Sequence, residues 1–372
     1  MTVGVYYPFQ VFAGGGEKYL LKLVQILSAD HHVEILSPFD NDYVATAAFL
    51  NIQLNPARVH AVSVQPNLLT NAWRDICSMA TKRYDLFIAI SNSVMPDTAG
   101  LGRKNIYLLQ FPFPTTHPIN PLQRLLIRNR ANTYQVILAY SEFAKRWIDE
   151  RLNKAFHLNR RIEVLNPYLD SSTDSPATKK NMILSVGRFF AGGHNKKHLE
   201  MIDAFRTLCD NGLTSWELVL AGSTRPEAVH QEYLEHLRER AKGYPISFQT
   251  DIAHQQLTTL YQTSKIYWHA TGLNEDAEKL PEKMEHFGMT IVEAMSYSCV
   301  PIVYGQGGPV EIVTNDVNGQ IFHSAEELAS TTQTVINNPE LWKKYSDQAK
   351  YRAQDFNESH FTERFQKILA SL

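Results

Sequence analysis

Apolar residues recur along this chain in two rhythms. Val3 to Tyr7 is a short β-branched and aromatic run ended by Pro8. After the Gly14-Gly15-Gly16 turn, Glu17 to Leu27 places Tyr19, Leu20, Leu23, Val24 and Leu27 at helical spacing. The pattern predicts strand, glycine loop, helix. Val33 to Leu36, Leu86 to Ile90, Ile106 to Leu109 and Val136 to Tyr140 predict four more strands. Short apolar runs alternating with helical stretches are the mark of βαβ units in a parallel sheet.

The alternation breaks at Asn166 to Lys180, where NPYLDSSTDSPATKK has the Ser, Thr, Asp and Pro content of a linker. It then restarts. Strands are predicted at Met182–Val186, Trp216–Ala221, Ile246–Gln249, Ile266–His269 and Val300–Val303, and helices at His198–Asn211, Glu227–Lys242 and Thr290–Tyr297. The fold class is therefore α/β with two doubly wound parallel-sheet domains. The expected boundaries are 1–165, a linker at 166–181, a second domain at 182–352, and a helix at 353–372 returning to the first domain.

Length and composition agree with this. A chain of 372 residues exceeds one ordinary core. With 44% apolar and 20% charged residues, wholesale disorder is excluded. The net charge of −2 gives no ground for nucleic-acid binding, but it is unevenly spread. Residues 1–165 carry 17 Lys and Arg against 12 Asp and Glu, whereas the remainder carries 19 against 26. Cys77, Cys209 and Cys299 lie far apart, which fits a reducing cytoplasm better than a disulfide framework. MTVGVYYPFQ reads as a strand rather than a leader, and no apolar run reaches transmembrane length.

Ligands of open α/β sheets sit beyond the carboxyl ends of the strands, so residues just after strands are the candidates for chemistry. Ser185-Val186-Gly187-Arg188 closes a strand, and Lys196-Lys197 precedes the next helix. An Arg fork and a Lys point charge at such a junction can clamp a diphosphate; equally, they can be two solvated cations. Glu285-His286-Phe287-Gly288-Met289-Thr290-Ile291-Val292-Glu293 sets two carboxylates eight residues apart around a helix start. Phosphate contacts from the helix N-terminus and hydroxyl contacts from the carboxylates fit this stretch. So does a plain capping box, Thr290-x-x-Glu293, with no ligand at all. The glycines of Gly305-Gln306-Gly307-Gly308 are candidates for close backbone approach to a ligand, or for an ordinary turn. Gly14-Gly15-Gly16-Glu17-Lys18 is not a dinucleotide fingerprint, since Tyr19 stands where its last glycine belongs.

Taken in order, the Gly14–Gly16 turn, SVGRF at 185–189, Lys197 before a helix, LAG at 220–222, EHFGMTIVEAM at 285–295 and GG at 307–308 resemble glycosyltransferase family 4, retaining enzymes of the GT-B fold. The resemblance covers nearly the whole chain, and GRFFAGGHNKKH is similar to mannosyltransferases that use GDP-mannose. It implies two Rossmann-like domains facing each other across a cleft, the first for the acceptor and the second for the nucleotide-sugar donor. It also implies roles: Arg188 and Lys197 on the donor diphosphate, with Lys196 a rival for Lys197; Glu285 beside the transferred sugar; Glu293 on the ribose. Phe287, Gly288, Met289 and Thr290 would present backbone groups to the donor, and Gly15 and Gly16 would let the N-terminal loop approach its phosphates. The family's sugar-facing histidine has no clear counterpart, and Gln110 and His117 are both candidates. Met284 replaces the usual proline, and Ala191-Gly192-Gly193-His194 is extra. Neither a cofactor nor a metal is expected, because the cations would take the divalent ion's place.

The acceptor implied is a glycan or a lipid-linked sugar. Pro121 to Arg130 interleaves Leu122, Leu125 and Leu126 with Arg124, Arg128 and Arg130, and more cations follow from Lys145 to Arg161. This stretch reads either as a surface meeting anionic lipid at the inner face of a membrane, or as an amphipathic helix packed on its own sheet. The alternatives to sugar transfer are a sugar-nucleotide epimerase of the same fold, or a scaffold that has lost activity.

Overall fold

The computed structural model describes residues 1–11, 14–64, 82–110, 119–169, 177–192 and 194–372. The chain forms two compact units, Met1–Pro167 with Phe361–Leu372, and Tyr168–His360. The predicted linker falls around this division, although its residues 170–176 and also His117 lie outside the described residues.

The first unit is built on seven strands: β1 (Thr2–Tyr6), β2 (His32–Ser37), β3 (Val59–Ser63), β4 (Tyr84–Ser91), β5 (Gly102–Leu109), β6 (Val136–Ala139) and β7 (Arg161–Val164). They run in the order β3-β2-β1-β4-β5-β6-β7, with every pairing parallel. The order reverses between β1 and β4. Phe87, Ile88, Ile106, Leu108 and Leu138 are fully buried, which explains why these strands read as apolar runs rather than alternations. The helix Gly15–Ser28 buries Tyr19, Leu20, Leu23, Val24 and Leu27, the residues its spacing marked. Tyr19 meets Phe361 of the C-terminal helix Glu358–Ala370 edge-on at 5.1 Å, so the end of the chain completes this unit's core.

The second unit has six strands: β8 (Lys180–Val186), β9 (Glu217–Gly222), β10 (Ile246–Thr250), β11 (Ser264–His269), β12 (Val300–Tyr304) and β13 (Gln320–Phe322). Their order is β10-β9-β8-β11-β12-β13, again all parallel. Here the reversal lies between β8 and β11, which opens a crevice beyond their carboxyl ends. Three short strands, β3, β7 and β13, escape the sequence pattern. β3 and β7 have mostly exposed or half-exposed side chains, and β13 has three residues, too few to show a period.

Candidate functional site

The crevice at the β8/β11 reversal gathers most of the residues singled out in the sequence. Beyond β8, Gly187 is followed by the exposed Arg188, whose guanidinium lies 5.9 Å from the Phe190 ring centroid. A Cβ at Gly187 would come within 2.6 Å of Lys196 Cγ, so the lysine stem passes over this glycine. Its ammonium ends 2.6 Å from Glu285 Oε2. Lys196 is therefore held between the Arg188 turn and the first glutamate of the 285–293 motif.

Lys197 goes elsewhere. Its backbone is left-handed (φ 61°) at the N-cap of the helix His198–Asp210, and its N–H donates to Asn195 Oδ1 at 2.6 Å. Its ammonium lies 2.9 Å from Glu275 Oε1 and 3.5 Å from Glu200, while Glu275 also takes Lys283 at 2.8 Å. Two adjacent lysines thus serve different carboxylates, Lys196 serving Glu285 and Lys197 serving Glu275 with Glu200.

Glu285 has a second neighbour, which the sequence pattern did not single out. His269, the last residue of β11, is buried and brings Nε2 to 3.2 Å from the same Oε2. Burial lowers the pKa of His269 and keeps it neutral, despite the carboxylate beside it. For Glu285, burial pushes the pKa up, but Lys196, His269 and His194 outweigh it and hold the carboxyl well below its ordinary value. The group is an anion with one oxygen anchored. His194, from the extra segment, donates from Nε2 to the Met284 carbonyl at 3.0 Å and ties that segment to the stretch entering Glu285. The signal that finds His269 is its position at the end of a strand, the rule already applied to Arg188.

The helix after Glu285 runs Met289–Ser296 with Gly288 as N-cap at φ 113°, a conformation that suits glycine alone. This corrects the capping-box expectation. Thr290 lies inside the helix and its Oγ1 accepts from Tyr267 at 2.7 Å, while Glu293 falls on the second turn and accepts from Tyr261 at 2.9 Å. Ile291 N–H donates to the Gly288 carbonyl at 3.0 Å, and the Met289 and Thr290 N–H groups precede the intrahelical ladder. The Phe287 side chain is buried against Phe356, at 5.5 Å between centroids.

The 307–308 glycines serve a contact within the protein. A Cβ at Gly307 would lie 2.4 Å from the Glu285 carbonyl, and one at Gly308 2.5 Å from both His286 O and Phe287 Cα. Gly308 N–H donates to Glu285 O at 2.8 Å. The turn after β12 thus clamps the main chain that carries Glu285.

In the first unit, the helix starting at Gly15 is preceded by Gly14, whose N–H donates to Glu17 Oε2 at 3.0 Å; Tyr7 OH donates to Glu17 Oε1 at 2.8 Å. Gln110 Nε2 reaches the Gly16 carbonyl at 3.3 Å, and a Cβ at Gly16 would meet the Gln110 amide at 3.0 Å. Gly16 and Gln110, 94 residues apart, are therefore direct neighbours. The sequence also contains Asp40-Asn41-Asp42, the Asp-x-Asp form in which two carboxylates can share a divalent ion. In the structure Asp42 caps the helix Tyr43–Phe49, accepting from Ala45 N–H at 2.8 Å. Among the described residues no group of three or more His, Cys, Asp or Glu is placed to hold a metal. No described helix is long and apolar enough to cross a membrane.

Residues 171–352 match the family model described as glycosyl transferases group 1. A GDP-Man:Man(3)GlcNAc(2)-PP-Dol alpha-1,2-mannosyltransferase of Dictyostelium discoideum is 27% identical over 204 residues, spanning 52% of this chain and 38% of that protein. The chain thus covers well under half the length of that relative. An uncharacterized glycosyltransferase of Haemophilus influenzae is 25% identical over 297 residues, spanning 77% of this chain and 76% of its own. Among solved structures, Anabaena HepE in complex with UDP and glucose matches with a TM-score of 0.72 at 17% identity, over 100% of both chains. That likeness is one of fold, and the fold is GT-B.

Proposed function

We propose, from the match of residues 171–352 to the family model described as glycosyl transferases group 1, that the chain moves a hexose from a nucleotide-sugar donor to a glycan or lipid-linked acceptor, with retention at the anomeric carbon. Mannose from GDP-mannose is the favoured donor sugar, by analogy with the Dictyostelium mannosyltransferase. The observation that carries the proposal is the pairing of Lys196 with an anionic Glu285 beside Arg188, at the sheet's reversal point.

The roles follow from charge and position. Arg188 and Lys196 take the donor diphosphate and stabilise the leaving nucleotide as negative charge builds on it. Glu285, its Oε2 anchored by Lys196 with His269 alongside, turns its other oxygen to the transferred sugar, where positive charge develops. Gly288, Met289 and Thr290 offer helix N-terminal N–H groups to the phosphates. Glu293 takes the ribose hydroxyls. Lys197, committed to Glu275, holds the 275–283 segment rather than the donor. Neither glutamate acts as a nucleophile. The acceptor attacks from the face of the departing phosphate, which accepts its proton, and no metal takes part.

A donor screen tests this reading. Incubation with GDP-mannose, UDP-glucose and related donors, following nucleotide release and thermal shift, should single out one donor, since a ligand of the native state raises Tm. The anomeric configuration of the product, read by NMR, tests retention. Release from none of the donors, with or without acceptor extracts, overturns the assignment.

A further inference from the structure

In the first unit the helix Pro121–Asn132 departs from the packing that its pattern promised. Only Ile127 and Ala131 are buried, four residues apart on one stripe. Leu122, Leu125 and Leu126 are 75%, 55% and 38% exposed. Their spacings of three and four place them together on one outward face. Half-buried helices turn polar residues outward, and this one turns three leucines.

The charge around that face is of one sign. The helix carries Arg124, Arg128 and Arg130 and no acid, and between Ile119 and Arg161 nine cations stand against three acids. Arg128 is exposed one turn from Leu125. Arg124 lies over the Phe156 ring at 5.0 Å and donates to the Ala155 carbonyl, which holds the helix against the cation-rich segment that follows. Arg146 and Arg151 stack on Trp147 in that segment, at 5.0 Å and 5.1 Å. Among the described residues, the other exposed large apolar side chains of this unit are Met1, Phe39, Val44 and Phe49; Phe39 and Val44 lie beside Asp40 and Asp42, and none of the four stands in a run of cations.

We propose that the Leu122–Leu125–Leu126 face, with its flanking arginines, docks the chain on an anionic phospholipid bilayer. The leucines enter the headgroup–acyl boundary while the cations meet lipid phosphates, the arrangement of an interfacial helix. This surface is independent of the donor site, so either proposal can fail without the other.

The test is sedimentation of the full chain with vesicles of phosphatidylcholine alone, or of phosphatidylcholine and phosphatidylglycerol in equal parts. Wild type should pellet with the anionic vesicles, remain in solution with the neutral ones, and be released by about 1 M salt, where screening acts within about 3 Å. L122S/L125S/L126S should lose at least about tenfold in partitioning, and R128Q about fivefold, the weight of one interfacial cation. Both variants should keep wild-type Tm and nucleotide affinity. Leu125→Trp should bind as wild type does and blue-shift its fluorescence with anionic vesicles only. Equal pelleting with both compositions, none with either, or undiminished binding of the triple leucine variant overturns the proposal. So does a wild-type dimer that the triple variant splits into monomers while vesicles leave it in solution, since a second copy then covers the leucines.

Discussion

Lys196 Nζ stands 2.6 Å from Glu285 Oε2, both side chains about one-seventh exposed, at 15% and 14%. Its neighbour Lys197 stands 2.9 Å from Glu275 instead. Two residues that a sequence motif cannot tell apart are thus separated by side-chain direction.

The first prediction uses that separation. Lys196→Ala and Arg188→Ala should each lower turnover by about two to three orders of magnitude, the usual cost of removing a charge-stabilising group. Lys197→Ala should keep most of its turnover and lose about 1–3 kcal/mol of stability, because Glu275 loses a charged partner in a largely enclosed site. Steady-state nucleotide release and denaturant unfolding read the two effects. If Lys197→Ala is the inactive variant, the diphosphate assignment passes back to Lys197.

Glu285 and Glu293 should fail differently. Glu285→Gln weakens an interaction that grows in the transition state, so the catalytic rate falls while affinity for the free nucleoside diphosphate holds. Glu293→Gln should weaken that affinity. Tyr261→Phe, which removes the hydroxyl that donates to Glu293, should weaken it less. Calorimetry beside steady-state rates decides, and the opposite pattern would reverse the two roles.

Activity should survive EDTA. Asp42 of the Asp-x-Asp triplet is engaged as a helix cap, and Arg188 with Lys196 supplies the positive charge. Full loss on chelation, restored by Mn²⁺ or Mg²⁺, would count against metal-free transfer.

Stability should fall as pH drops below about 6.5, the ordinary histidine value. Burial, with Lys196 adding to it, lowers His194 and His198 to about 3, and burial lowers His269 as well. The unfolded chain takes up these protons first, so stability rises with pH between about 3 and 6.5 and levels off above. Each histidine contributes up to about 1.4 kcal/mol per pH unit in that window. Glu285, held below its ordinary value, adds to the loss below about pH 4.5. Urea unfolding across this range should show the slope, and His198→Gln should flatten it. A flat profile would mean that the buried histidines protonate freely in the folded protein.

Gly308→Ala should cost about 1–3 kcal/mol, since its Cβ would meet backbone that cannot swing aside. Because that backbone carries Glu285, turnover should fall with it. A variant with wild-type Tm and turnover would show that the clamp is loose.

The sequence alone determined the two parallel-sheet units, because buried strands and half-buried helices write their periods directly into the order of residues. It also put Arg188 at a strand end, the Lys196–Lys197 pair ahead of a helix and Glu285 before the next one, since glycines and strand ends mark where a backbone opens to ligands. Tertiary structure decided the rest. The partners of a carboxylate depend on which strands become neighbours, and Ser264–His269 lies beside Lys180–Val186 only because the sheet reverses there. That is why His269 reaches Glu285 and why Gly307 and Gly308 turn out to clamp backbone. The helix Pro121–Asn132 teaches the same lesson from outside. Its amphipathic period is consistent with burial, but which side of a helix meets the core depends on contacts distant in the chain, and here Leu122, Leu125 and Leu126 were left facing outward.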